Sequence, residues 1–383
     1  MRFLVWLLLS AMAEAQAGPR VQISHTTEDL RGISVVSRQV AWASGTHGTY
    51  LRTLDAGQTW TSAQVSGAAS LDFRAVAGFS ADEAFLMSAG PGEQSRIYHT
   101  SDGGQHWQLQ FTNPNPKGFF DSLAFWDSKH GIVVGDPIPD DTGKLDFELL
   151  ETEDGESWRV IPPSELPDAV QGEGAFAASN SCIAILKAAQ SGSGSSSGAP
   201  DPNIWFASGG KIARVFHSSD RGKTWEVFNT PILHGPESAG IFAIAFRDAR
   251  HGVIAGGDYK HPDEDGPNLA FTDDGGKTWS LSTLKPQAFF SAVAYDQQVN
   301  AAAIRLEKEE QKANTRGKRL GTPIPPQRLF IVGEDFIFDF NPPNDPRRIN
   351  GKRKAGFTFN AVSPFPEGGA LVVGPKGTIA YIP

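Results

Sequence analysis

One short string recurs along this chain and limits what it can fold into. It reads Thr53-Leu-Asp55-Ala-Gly57-Gln-Thr-Trp60, Thr100-Ser-Asp102-Gly-Gly104-Gln-His-Trp107, Ser218-Ser-Asp220-Arg-Gly222-Lys-Thr-Trp225 and Thr272-Asp-Asp274-Gly-Gly276-Lys-Thr-Trp279. A fifth copy, Thr152-Glu-Asp154-Gly155-Glu-Ser-Trp158, is one residue shorter. The pattern is Ser/Thr-x-Asp-x-Gly-x-x-Trp, and its aspartates lie 47, 52, 66 and 54 residues apart. Self-similarity at that period means a solenoid, an array or a propeller.

Each residue type suits a turn. The Asp carboxylate and the Ser/Thr hydroxyl can bond to the turn's own backbone. Gly takes positive φ without steric cost, and Trp buries a large apolar surface that ties the turn to its sheet. Asp55, Trp60, Asp102, Trp107, Asp154, Trp158, Asp220, Trp225, Asp274 and Trp279 therefore read as structural, not catalytic. The motif resembles the Asp-box, or BNR repeat, and that resemblance implies a hairpin between the outer two strands of a propeller blade.

The same grammar recurs upstream of the boxes. Leu30-Arg-Gly-Ile-Ser-Val-Val leads to Val40-Ala-Trp-Ala-Ser-Gly45, and Phe73-Arg-Ala-Val-Ala leads to Ala84-Phe-Leu-Met-Ser. Phe120-Asp-Ser-Leu-Ala-Phe leads to Gly131-Ile-Val-Val-Gly-Asp136, and Ile241-Phe-Ala-Ile-Ala-Phe to Gly252-Val-Ile-Ala-Gly-Gly-Asp258. Such Val/Ile/Phe-rich runs bounded by Gly, Asp and Ser are strand signals. Two further units, opening at Phe290 and Phe357, lack a box; Phe338-Asp-Phe-Asn stands at one expected box position. The last unit ends one strand short, and Arg20-Val-Gln-Ile-Ser24 can supply that strand and remove an open sheet edge. The expectation is an all-β fold: a seven-bladed β-propeller of four-stranded antiparallel blades with Asp-box hairpins, six blades being the alternative. The blades are placed at about 30–65, 71–111, 117–161, 172–228, 240–281, 289–345 and 354–383, the last closed by 20–26, in one domain over 18–383.

The first residues, Met1-Arg-Phe-Leu-Val-Trp-Leu-Leu-Leu-Ser-Ala-Met12, join a positive start to a short apolar run, with small-x-small cleavage sites by Ala15 and Ala17. Residues 1–17 read as a signal peptide, too short to span a bilayer, so a secreted or periplasmic protein is expected. Cys182 is the sole cysteine and rules out an intramolecular disulfide. It lies in an apolar run and reads as a small buried hydrophobe. The formal charge of −9 argues against a nucleic-acid partner. Two stretches break the rhythm: a Gly/Ser loop at 190–198 and a mixed-charge segment from Leu306. Region 316–354 is locally basic (Arg316, Lys318, Arg319, Arg328, Arg347, Arg348, Lys352, Arg353, Lys354) and offers a peripheral contact for an acidic partner or anionic lipid.

Longer strings carry a second resemblance. His130-Gly-Ile-Val-Val-Gly-Asp-Pro137, Asn203-Ile-Trp-Phe-Ala-Ser-Gly209, Ala239-Gly-Ile-Phe-Ala-Ile-Ala-Phe246, Gly256-Gly-Asp-Tyr259 and Val372-Val-Gly-Pro-Lys-Gly377 resemble bacterial propellers of the photosystem II stability/assembly factor type, over residues 25–383. That resemblance implies a chaperone-like scaffold that binds a membrane-protein partner during assembly. The rigid ring of a propeller, with its broad face and central mouth, suits a non-catalytic role in binding a protein or carbohydrate partner.

Asp-boxes also occur in glycosidases, so a glycoside hydrolase is the alternative. A glycosidase needs two carboxylates at a suitable separation. Asp136 and Asp258 each follow the glycine that ends a blade's second strand, which makes them equivalent candidates at the channel mouth; Glu148 and Glu334 are weaker ones. Both aspartates also suit turn capping. A sialidase is disfavoured by the missing Arg-Ile-Pro string and by only five tyrosines. The histidines have no metal-ligand spacing, no cofactor motif is present, and neither metal nor cofactor is expected. Candidate ligand-binding residues are His47, Asp136, Asn180, Asp258, Tyr259 and Asn360.

Overall fold

The computed structural model describes residues 18–162, 167–186, 202–282, 288–298, 328–333, 336–340 and 358–383, with a few helical positions between 304 and 312. The expected signal peptide, Glu334 and most of the basic region 316–354 lie outside the described residues.

The described strands form seven antiparallel sheets in chain order. The first holds Leu30–Val35, Ala41–Gly45, Thr49–Thr53 and Thr61–Gln64. The second holds Asp72–Gly78, Ala84–Ala89, Arg96–Thr100 and Gln108–Thr112. The third is built on Phe120–Phe125, Gly131–Pro139, Leu145–Thr152 and Arg159–Val160, and the fourth on Ile183–Ile185, Ile204–Ala207, Arg214–Ser218 and Glu226–Asn229. Ala239–Phe246, Gly252–Asp258, Leu269–Thr272 and Ser280–Leu281 form the core of the fifth. Phe290–Tyr295, Leu329–Gly333 and Phe336–Phe340 form the sixth. The seventh takes Ala361–Pro364, Ala370–Gly374 and Thr378–Ile382 from the chain end and Arg20–Gln22 from its beginning, with Arg20 opposite Tyr381.

The first strands of successive sheets touch one another all the way round, the seventh touching the first. Seven apolar clusters lie between neighbouring sheets. One joins Leu30, Leu51 and Trp60 of the first sheet to Leu371, Val373 and Ile379 of the seventh; another joins Ile132, Phe147 and Leu149 of the third to Ile204, Phe206 and Phe216 of the fourth. A sheet buries its two faces only by packing on both neighbours, so closing the ring leaves no sheet with an uncovered face. The chain is an all-β propeller.

The fourth unit departs from the expected boundaries. Its sheet starts at Ile183, not at 172. Asp168–Ala169 pairs with the third sheet through Leu145 and Asp146, and Glu173–Gly174 pairs with Gly209–Gly210, which in turn meets Gly240 of the fifth sheet. Residues 168–174 therefore bridge sheets near the axis.

The box hairpins join third to fourth strands. Thr53 Oγ1 accepts from the Gly57 N–H at 2.9 Å and donates to Asp55 Oδ1 at 2.9 Å; Asp55 accepts from the Thr59 N–H and hydroxyl at 2.8 and 2.6 Å. The same bonds recur around Asp102, Asp154, Asp220 and Asp274. These donors hold the box carboxyls below the usual range, Asp102 at about 2 through its bonds from His106. Trp60, Trp158, Trp225 and Trp279 each donate Nε1 to a nearby oxygen, whereas Trp107 packs edge-on to Tyr50 at 5.1 Å with its Nε1 unpaired.

Candidate binding site at the mouth of the central channel

A cavity of about 840 Å³ opens among the first strands. Its floor follows from one local irregularity. In five sheets the first strand carries a β-bulge near its start: between Leu30 and Gly32, Phe73 and Ala75, Phe120 and Ser122, Ile241 and Ala243, and Phe290 and Ala292. A bulge inserts an unpaired residue and re-aims its side chain. The five residues at these bulges are Arg31, Arg74, Asp121, Phe242 and Ser291, and all of them line the cavity, as does Asn360 just before the seventh sheet. A glycine within or at the end of the second strand is part of the same arrangement. A Cβ on Gly45, Gly135, Gly256, Gly333 or Gly374 would strike the backbone carbonyl just before, or at the start of, the neighbouring first strand.

The bulge explains why Asp136 and Asp258 are not equivalent, contrary to the sequence expectation. Gly135 opposes the residue before its bulge, Phe120, and Gly256 likewise opposes Ile241. Asp136 stands one residue beyond its glycine and Asp258 two, and a one-residue offset in a strand turns the side chain to the other face. Asp136 lines the cavity, where its Oδ1 accepts from the Ala175 N–H at 3.0 Å. Asp258 does not line it. Its carboxylate is 7% exposed and caps its own turn, accepting from the Lys260 N–H at 2.9 Å with His261 Nδ1 at 3.0 Å. These bonds draw its pKa down against the effect of burial.

Two other candidates are also structural. Asn180 has positive φ and accepts from the Leu123 N–H at 2.7 Å, tying the fourth sheet to the third. His47 sits on an exposed hairpin outside the cavity, 2.6 Å from Glu28 Oε2, and that carboxylate raises its pKa. Asn360 does both jobs: it lines the cavity and donates Nδ2 to the Leu30 carbonyl at 2.7 Å, across the ring closure. Tyr259 lines the cavity and is 48% exposed. Its ring meets Phe242 at 6.1 Å, and Phe242 in turn stacks on Phe176 at 3.8 Å and meets Phe289 edge-on at 4.6 Å. All four aromatic residues line the cavity.

The charged residues are unevenly satisfied. Arg74 donates Nε to Asp72 at 2.9 Å and Nη1 to the Ala177 carbonyl at 2.8 Å. Arg31 Nε lies 3.8 Å from Asp72 and has no hydrogen-bond partner. Glu173 is held by Arg214 Nε at 2.8 Å and by the Ser208 hydroxyl at 2.6 Å. Asp121 is 1% exposed, and its Oδ2 has no hydrogen-bond partner. Burial first, and then the charges of Asp136 and Glu148, push its pKa well above the usual range, against Arg74 and the Ala177 N–H. Burial lifts Asp136 to about 6. Glu148 lies behind the cavity wall, where burial lifts it to about 7 although Asn113 Nδ2 donates to it at 2.7 Å.

Arg31, Arg74, Asp121, Phe242 and Ser291 escaped the sequence reading. The signal was there: each first strand reads apolar, then a variable residue, then Gly, Ala or Ser, then apolar, as in Phe73-Arg74-Ala75-Val76 and Phe120-Asp121-Ser122-Leu123. Among the described residues no cluster of His, Cys, Asp and Glu could hold a metal, and no helix is long and apolar enough to cross a membrane.

The BNR/Asp-box repeat model matches residues 270–281, the box around Asp274. The chain is a β-propeller that carries a BNR/Asp-box repeat. Its fold is similar to that of YCF48 bound to D1 peptide, with a TM-score of 0.59 at 15% identity, covering 95% of this chain and 94% of that one. It is also similar to U3-55K (TM-score 0.58, 12% identity, 95% and 98% covered) and to the WD40 propeller domain of Doa1 (0.57, 11%, 95% and 96%). No curated protein sequence matches the chain. With 750 solved chains sharing this fold, the fold by itself selects no function.

Proposed function

We propose that this propeller is a non-catalytic binding protein, similar in role to an assembly factor, whose channel mouth receives an extended segment of a protein partner. Each of the seven sheets is one blade of the ring in this reading. The observation that carries it is the composition of the cavity wall. Phe176, Phe242, Phe289 and Tyr259 offer an apolar shelf, and groups of both charge signs stand opposite it on rigid first strands. Ligand sites of this kind combine apolar lining with a few placed polar groups. The likeness to YCF48, which has been seen with a D1 peptide bound, supports a protein partner over a glycan. The apolar run that opens the sequence supports export to the periplasm or beyond, and the basic region 316–354 is kept as a peripheral contact.

The test is site-specific photocrosslinking. A benzophenone side chain placed at Tyr259 should capture a discrete protein segment in the cell envelope, and the same probe at His47, outside the cavity, should not. Equal capture at both positions, or none at Tyr259, would sink the reading.

A second reading has one observation in its favour. Asp121 and Asp136 both line the cavity with raised pKa values, as a general acid requires. Hydrolysis of a chromogenic glycoside that disappears in Asp136→Asn would make the protein a glycosidase.

A further inference from the structure

We infer that the cavity floor at Asp121 and Asp136 is a subsite for a cationic side chain, Lys or Arg, of the bound segment. This rests on the binding role proposed above and adds the chemistry of what is bound. Asp121 supplies the decisive geometry. It occupies the bulge of its strand, lines the cavity, is 1% exposed, and leaves Oδ2 without any hydrogen-bond partner. Buried polar atoms are almost always paired, so an orphan on a residue of the cavity wall marks the place of an absent partner.

The surroundings select the sign of that partner. Arg74, the cation whose charge reaches Asp121, donates to Asp72 and to the Ala177 carbonyl and makes no hydrogen bond to Asp121 Oδ2. Asp136 lines the same cavity with one oxygen bonded to the Ala175 N–H. Two carboxyls this close repel when both are ionised, and a cation between them removes that cost. The stacked Phe176 and Phe242 beside them can flank an alkyl stem or a guanidinium plane. An anionic group would instead meet the unpaired carboxyl oxygen.

Binding has a proton balance. Before binding, burial disfavours ionisation of both carboxyls, raising Asp121 well above the usual range and Asp136 to about 6. Arg74 from the second sheet, Glu148 from the third and the neutral, buried Cys182 thiol beside the fourth act on the pair, and Arg31, Lys117, Glu173 and Glu237 line the same cavity. When an ammonium or guanidinium enters, the carboxyl ionises and its proton goes to solvent. Affinity therefore rises as pH rises through about 6.

The probe is the peptide Ac-Gly-Phe-Lys-Phe-Gly-NH2, compared by titration calorimetry with norleucine and Glu at the central position. The Lys peptide should bind about tenfold to a hundredfold tighter than the norleucine peptide, the range of a charged hydrogen bond. It should also release a proton, read from the dependence of heat on buffer ionisation enthalpy. Asp136→Asn and Asp121→Asn should each collapse the Lys preference. If Asp121→Asn fails to fold, Asp136→Asn and the wild-type proton release carry the test. Equal binding of Lys and norleucine peptides, or preference for Glu, overturns the cationic subsite and leaves the binding role standing. Failure of all three peptides to bind at ~1 mM also overturns it, and the crosslink at Tyr259 decides the binding role independently.

Discussion

Glu148→Gln should make the protein more stable above neutral pH. Glu148 is 6% exposed in the third strand of the third sheet, and burial raises its carboxyl from an ordinary 4.5 to about 7. Each unit of such a rise is worth about 1.4 kcal/mol, so ionising Glu148 costs the folded state ~3 kcal/mol. The folded state holds its proton more tightly than the unfolded chain. Stability is therefore fully present below about 4.5 and is lost as pH rises through about 7. Gln removes the ionisation and keeps the acceptor for Asn113 Nδ2, whose orientation is set by the Asn115 N–H donating to Asn113 Oδ1 at 2.9 Å. The variant should match or trail the wild type near pH 4.5, pass it between 5 and 7, and lead by about 2–3 kcal/mol at pH 8.5. Urea unfolding at a series of pH values reads this directly. A difference that stays flat with pH, or a wild type that gains on the variant as pH rises, would refute the assignment of a buried, uncompensated carboxyl.

Two further outcomes test the frame around the site. Trp205 is fully buried, stacks on Phe246 at 3.8 Å and on His217 at 4.8 Å, and donates Nε1 to the Gly275 carbonyl at 2.8 Å. Trp205→Ala should cost about 3–5 kcal/mol, measured by denaturant unfolding, because it empties the seam between the fourth and fifth sheets. Asp220→Ala removes the acceptor of the Thr224 N–H and hydroxyl and of the Ser218 hydroxyl. It should cost about 1–2 kcal/mol and leave crosslinking at Tyr259 intact; loss of capture with an unchanged melting curve would give the box a direct part in binding.

The sequence by itself determined the repeat. The Thr, Asp and Gly of each box bond within eight residues, so Thr53, Asp55 and Gly57 announce their hairpin wherever they stand, while Trp60 reaches across to Gln22. The alternation of apolar strands with glycine fixed the class, and the buried state of Cys182 followed from its run. The cavity was a different matter. Arg31, Arg74, Asp121, Phe242 and Ser291 lie tens of residues apart and meet only because the ring closes. Their direction depends on a bulge, which arises from pairing with the next strand and leaves only a variable letter in the sequence. The same one-residue offset separated Asp136, at the cavity, from Asp258, which caps a turn. The sequence expectation opens the fourth unit at 172, yet Glu173–Gly174 pairs across sheets, because partners for such short strands are assigned by the assembled ring. Local bonds are written in neighbouring residues, whereas which side chains share the axis is settled only when non-local strands pair and the ring closes.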